Sequence, residues 1–102
     1  IKISYNLNVA MINKKLQSIR KKLDSLDNEF LSLIKKRTIL VNEVLLTKKF
    51  KNQIIDKKRI KKILSNIKIK SQKKKIDIKI TNEIWKSMIR AYIKYEFRNF
   101  KK

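Results

Sequence analysis

The chain has no glycine, proline, cysteine or histidine anywhere in its 102 residues. An average chain of that length carries about 7 glycines and 5 prolines. Tight hairpin turns and left-handed helix caps lean on Gly and Asn, so a many-stranded fold with short turns is disfavoured. Long helices with few connections remain, and the expected fold class is all-α. Without Cys and His there is no thiol nucleophile, no catalytic imidazole and no zinc site of the usual kind. Acidic residues are scarce too, at 8, and they are scattered singly, which leaves little for a carboxylate metal cage. An enzyme made from this chain is expected to work by positioning and electrostatics, with neither metal nor cofactor. No apolar run approaches the roughly 18 residues of a membrane span, and no signal-peptide pattern is visible. A cytoplasmic protein without a membrane partner is the default expectation.

What the chain has in excess is positive charge: 29 Lys and Arg against 8 Asp and Glu, a net +21. That predicts attraction to anions, whether nucleic acid, lipid or small polycarboxylates. The basic residues are 24 Lys and only 5 Arg, with Ile and Asn abundant beside them. An AT-rich genome gives the same mixture in any soluble protein, so the bulk charge names no partner. The length suits one domain with one modest core.

Ile1, Ile3, Tyr5, Leu7 and Val9 alternate with polar residues, a strand-like pattern with no partner strand nearby. Residues 1–10 are read as an N-terminal tail, ahead of a helical domain over 11–102. From Ile12 the apolar residues change period: Ile12, Leu16, Ile19, Leu23, Leu26, Phe30, Leu33, Leu40 and Val44 follow spacings of four and three, with Arg37 filling the one gap. This predicts a single helix from about Val9 to Lys49, about 60 Å long at 1.5 Å per residue. Its stripe is too long for the remainder of the chain to cover, which points to a second copy and an intertwined homodimer.

The stretch "KFKNQ" breaks the pattern and reads as a loop. Asp56 opens a second helix with Ile60, Ile63, Leu64 and Ile67 on its apolar face. The lysine-rich "KIKSQKKKIDIKI" reads as a connection, with a short strand at Ile76, Ile78 and Ile80 as the alternative. Thr81 or Asn82 is expected to cap a third helix, whose stripe runs Trp85, Met88/Ile89, Tyr92, Glu96 and Phe100.

Two charges interrupt apolar stripes, Arg37 in the first helix and Glu96 in the third. An unpaired buried charge costs several kcal/mol, roughly, so each needs a partner or a route to water. Mutual pairing or snorkelling would suffice. Further residues suggest more. Lys48 lies eleven residues after Arg37, about three turns and 16 Å along the same face. Arg20 lies about 25 Å before Arg37 and is rotated away; in an antiparallel dimer the partner's copy could approach Arg37. With lysine so dominant, arginine at positions 20, 37 and 59 suggests a need for the planar, bidentate guanidinium that binds carboxylates.

The stretch "IRKKLDSLDNEFLSLIKKRTILVNEVLLTKK" resembles the first helix of the all-helical chorismate mutases. The ordered set Arg20, Asp27, Arg37, Lys48, Arg59 and Glu96, with the third-helix stretch "IWKSMIRAYIKYE", carries the resemblance over about residues 12–100. It implies three-helix chains that dimerise through the long first helix, with two sites each lined by both chains. It also implies that Arg37 and Arg59 bind the carboxylates of a small dicarboxylate substrate, with Arg20 entering from the other subunit. Lys48 and Glu96 would contact the ether oxygen of the breaking C–O bond, and Asp56 and Tyr92 would line the pocket. The implied reaction, chorismate to prephenate, needs no nucleophile. It needs the enolpyruvyl arm held over the ring and the partial charge on the ether oxygen stabilised.

Two departures stand out. Ile60 follows Arg59 where the family often has Glu for the substrate's ring hydroxyl, and the linker after Lys48 is about one residue short. Glu96 must be protonated to donate to a developing oxyanion, so activity is expected to fall as pH rises and removes that proton. The alternatives are an isochorismate-pyruvate lyase on the same fold and a basic helical module for nucleic acid. The pattern argues against the second: Trp85, Tyr92 and Phe100 share a core stripe and do not interleave a basic face such as Lys68, Lys70 and Lys73 to Lys75.

Overall fold

The structure, a computed structural model, describes residues 2–101. Three α-helices account for most of it: α1 (Lys2–Thr47), α2 (Lys57–Lys73) and α3 (Ile78–Asn99), with a 3-10 turn at Lys51–Gln53 between the first two. Among the described residues there is no strand. Two compact units are distinguished, residues 1–38 and residues 39–102.

The first unit is a stretch of α1 alone. The helix begins at Lys2, earlier than the Val9 expected. Residue 1 lies outside the described residues, and the rest of the alternating stretch forms the opening turns. The reason is local: Ile3 and Leu7 are also four apart, and with no Gly or Pro to stop it a nucleated helix propagates at little cost. The apolar stripe is not covered within the chain. Leu23, Leu26, Phe30 and Leu33 are each at least half exposed, at 54, 55, 50 and 61%.

The second unit holds the end of α1, the 3-10 turn, α2 and α3. Here α1 turns a different face inward from the one its periodicity singled out. Val41 and Lys48 are half-buried and Leu45 is buried, whereas Leu40 and Val44 of the predicted stripe stay exposed. The sequence stripe and the intrachain face are thus neighbours on one helix, about 100° apart. Ile54, at 3% exposure, closes the bottom of the connection. On α2 the half-buried residues are Ile60, Ile63, Leu64 and Ile67, the expected face. On α3 they are Trp85, Met88, Ile89, Tyr92, Ile93 and Tyr95, with Glu96 buried and Phe100 half-buried just past the helix end.

The α2–α3 connection is shorter than its sequence suggested. Helix α2 runs on to Lys73, only Lys74 to Asp77 separate it from α3, and no strand forms at Ile76 to Ile80. Asp77 caps α3, its carboxylate accepting from the Lys79 N–H at 2.8 Å. Thr81, one of the two expected caps, is instead a buried packing residue whose hydroxyl meets that of Ser71 at 2.8 Å. A hydroxyl pair satisfies two polar groups that would otherwise be stranded where α2 and α3 pack.

The turn itself is a Schellman motif. The Ile76 N–H donates to Ser71 O at 2.9 Å and the Lys75 N–H donates to Gln72 O at 3.2 Å. Lys75 sits in the left-handed region, with φ at 57°. That conformation normally selects glycine, and this chain has none, so an exposed lysine carries the strain of its Cβ. Lys75→Gly is expected to raise stability by about 1 kcal/mol, a few degrees in Tm. Thermal melts of Lys75→Gly beside Lys75→Ala check this, since only the glycine relieves the strain. Equal Tm values for the two would remove the explanation.

Candidate active site

The end of α1 is built to hold Lys48. Helix α1 stops at Thr47, the Lys48 N–H still donates to Leu45 O at 3.1 Å, and the chain then turns sharply. Gln53 fastens the turn: its Oε1 accepts from the N–H groups of Lys49 at 2.7 Å and Phe50 at 3.0 Å. The lysine therefore leaves a backbone fixed on both sides.

Its ammonium donates to Glu96 Oε1 at 2.9 Å, across to α3. The two side chains are 15% and 9% exposed. Bringing two charges this far out of water is unfavourable without the pairing. These two predicted site residues, 48 positions apart in sequence, are joined directly side chain to side chain. An ammonium has three donors, so Lys48 keeps two beyond the one given to Glu96. A polar group with donors to spare, on an anchored backbone, can serve a ligand oxygen without first being assembled.

Asp56 and Arg59 share the start of α2. Asp56 is the N-cap, and its Oδ1 accepts from the Arg59 N–H at 3.0 Å. The cap fixes the backbone of Arg59 and spends one carboxylate oxygen. The Asp56 carboxylate offsets the positive end of the helix dipole, and the exposed Arg59 is the cation offered beside it. Ile60, beside it, is half-buried. Tyr92 lies one turn before Glu96 on the same face of α3 and meets Tyr95 edge-on, with ring centroids 6.3 Å apart. In the first unit Arg37 is half-buried and Arg20 is exposed.

An open groove of about 470 Å³ between α2 and α3 is lined by residues such as Lys61, Leu64, Lys68, Ile78 and Thr81, and by none of the site residues. The charged pair and its surroundings identify the chemistry better than that concavity does, because the buried polar group among those residues, the Thr81 hydroxyl, is already paired with Ser71. Among the described residues no group of three His, Cys, Asp or Glu is placed to hold a metal ion, and no helix is long and apolar enough to cross a membrane.

Residues 19–97 match the family model described as chorismate mutase type II. The chain belongs to this family. No curated protein and no solved structure matches the chain. The matched span contains Arg20, Arg37, Lys48, Asp56, Arg59, Tyr92 and Glu96. Family membership brings the enzyme class with it: a type II chorismate mutase is an isomerase, and the described residues, three α-helices without strands, are of the all-helical kind.

Two contacts near the pair were not legible from sequence. The Tyr95 hydroxyl donates to Asn42 Oδ1 at 2.8 Å, again joining the end of α1 to α3, and the Arg98 guanidinium lies 6.0 Å from the Tyr95 ring centroid. Neither Asn42 nor Tyr95 interrupts an apolar stripe, so periodicity does not mark them. Gln53 was equally silent, because its role is to accept from backbone groups of its own turn.

Proposed function

We propose that the chain converts chorismate to prephenate by pericyclic rearrangement, as a homodimer whose two sites each draw on both chains. The observation that carries the reading is the Lys48–Glu96 pair, two polar groups from different helices held at 2.9 Å inside the span matching the family. In the family pattern these positions face the ether oxygen of the breaking bond. Arg37 and Arg59 clamp the two carboxylates, and the partner subunit's Arg20 completes the clamp. Holding the enolpyruvyl arm over the ring removes rotational freedom that the free substrate must lose on its own. As C–O cleavage runs ahead of C–C formation, negative charge gathers on the ether oxygen, and Lys48 has donors left to meet it.

The dimer is proposed for a physical reason. In one chain, apolar side chains from Ile12 to Leu33 stay exposed over about 30 Å of helix. The buried apolar side chains among the described residues are just Leu45 and Ile54. A stripe this long is covered in solution by something, and a second α1 matches it in length and period.

Chorismate consumption followed by ultraviolet absorbance, with prephenate identified as product, tests the reading. A chain inert to chorismate at every pH would sink it. The half-buried Ile60 and the capping duty of Asp56 weaken recognition of the ring hydroxyl and favour one second reading, isochorismate-pyruvate lyase, which pyruvate release from isochorismate would reveal.

Glu96 has its own signature. In the free structure its oxygen accepts from Lys48; to donate to the ether oxygen it must carry a proton. Glu96→Gln, whose amide donates without an added proton, should therefore keep kcat within about tenfold of wild type, whereas Glu96→Ala should lose about 10²-fold. Equal kcat in Glu96→Ala and wild type would remove Glu96 from the reaction.

A further inference from the structure

We infer that Tyr95 and Asn42 form a latch that sets the rotation of α3 and thereby places Glu96 against Lys48, an inference that rests on the proposed reaction. The side-chain bonds that join the end of α1 to α3 include Lys48 to Glu96 at 2.9 Å and Tyr95 to Asn42 at 2.8 Å. On α3 the two anchors are adjacent residues. On α1 they are six residues apart, about 9 Å along the axis. One bond alone leaves a helix free to roll about its axis; a second bond at a different height and bearing removes that freedom.

The lever is short and sensitive. Glu96 carries its carboxylate at about 6 Å from the α3 axis, so a 10° roll displaces it by about 1 Å. A misplacement of about that size costs up to roughly 100-fold in rate where reacting groups must be aligned. Glu96 cannot hold itself in register, because in the proposed reaction the substrate's ether oxygen competes with Lys48 for the Glu96 carboxyl. The Tyr95–Asn42 bond stays out of that competition, since neither residue belongs to the proposed site. The Tyr95 ring also packs edge-on against Tyr92, one turn before Glu96, so the latch steadies a pocket-lining residue at the same time.

Tyr95 and Asn42 are positioning residues, and a structural role alone predicts something different for them. The bond is at the exposed edge of the packing, with Asn42 exposed and Tyr95 half-buried. Water replaces it readily when it is removed, so Tm should hardly change.

The test is steady-state kinetics of Tyr95→Phe, Asn42→Ala, Asn42→Asp and the Tyr95→Phe/Asn42→Ala double variant with chorismate. The latch predicts that Tyr95→Phe and Asn42→Ala each lower kcat about tenfold, with KM within about twofold of wild type. The double variant should be no worse than either single one, because one bond is lost in every case. Asn42→Asp keeps the accepting oxygen and should restore most of kcat. Unchanged kcat in Tyr95→Phe, or additive losses in the double variant, would overturn the latch. If wild type itself does not turn over chorismate, the proposed reaction fails and the latch is read without it, from the Glu96 side-chain carboxyl ¹³C resonance. A shifted resonance in Tyr95→Phe would support the latch, and an unmoved one would overturn it.

Discussion

Replacing Lys48 with alanine is expected to lower kcat by about 10²–10³-fold, the loss that follows when one preorganised donor to a developing oxyanion is removed. The lysine has two roles in the proposed reaction, and they separate experimentally. In the free enzyme it neutralises Glu96, which is only 7% exposed. Removing one partner of a well-buried ion pair costs about 3–5 kcal/mol, and the partial exposure of Lys48 brings that nearer about 1–3. Lys48→Ala should therefore lose both stability and activity. Adding Glu96→Gln to Lys48→Ala removes the stranded charge, so Tm should recover while kcat stays low. Melting curves and chorismate kinetics on wild type, Lys48→Ala and the double variant show this directly. If activity returned together with Tm, Lys48 would be holding the fold together and doing no chemistry.

Arg37→Ala is expected to reduce kcat/KM by about 10²–10³-fold, because a guanidinium bound bidentately to a carboxylate is worth about 3–4 kcal/mol when water is excluded. Lysine in its place should not restore the loss, since an ammonium cannot offer the planar fork. Arg20→Ala should be similarly impaired, and mixing the two dead variants supplies the decisive reading. In a mixed dimer one site combines the intact Arg37 of one chain with the intact Arg20 of the other, while its twin site lacks both. Random exchange of equal amounts should then restore about a quarter of the wild-type sites. No recovery, with exchange of chains confirmed by mass spectrometry, would mean that Arg20 and Arg37 do not meet across a dimer.

How far the sequence could be read depended on the kind of signal each element carried. The apolar faces of α2 and α3 were legible because both follow helical periodicity with few exceptions. Asp56 was legible as a cap because a short acidic side chain immediately before a helix has one obvious use. Its counterpart Asp77 was missed, because the lysines and isoleucines around it imitate an extended stretch and Thr81 offered a more familiar cap. The inward face at Val41, Leu45 and Lys48 was missed for a different reason. Helix α1 is apolar on adjoining faces, and the stronger stripe, through Leu33, Leu40 and Val44, is the one its own chain leaves exposed.

The sequence by itself determined the all-α class, the long first helix and the chemistry excluded by having no His or Cys. Those follow from short-range periodicity and from residues that are simply absent. It also singled out Lys48 and Glu96, through a resemblance to the family, because a motif is a one-dimensional pattern. Only the tertiary structure decided that these two side chains meet at 2.9 Å, that Tyr95 reaches Asn42, and that Lys75 takes the left-handed turn. Those contacts join residues about 50 apart or depend on the angle at which helices end. Periodicity reports which face of a helix is apolar; the rotation of one helix against another depends on packing and on contacts between helices such as Tyr95 to Asn42, and it is that rotation which puts Glu96 within reach of Lys48.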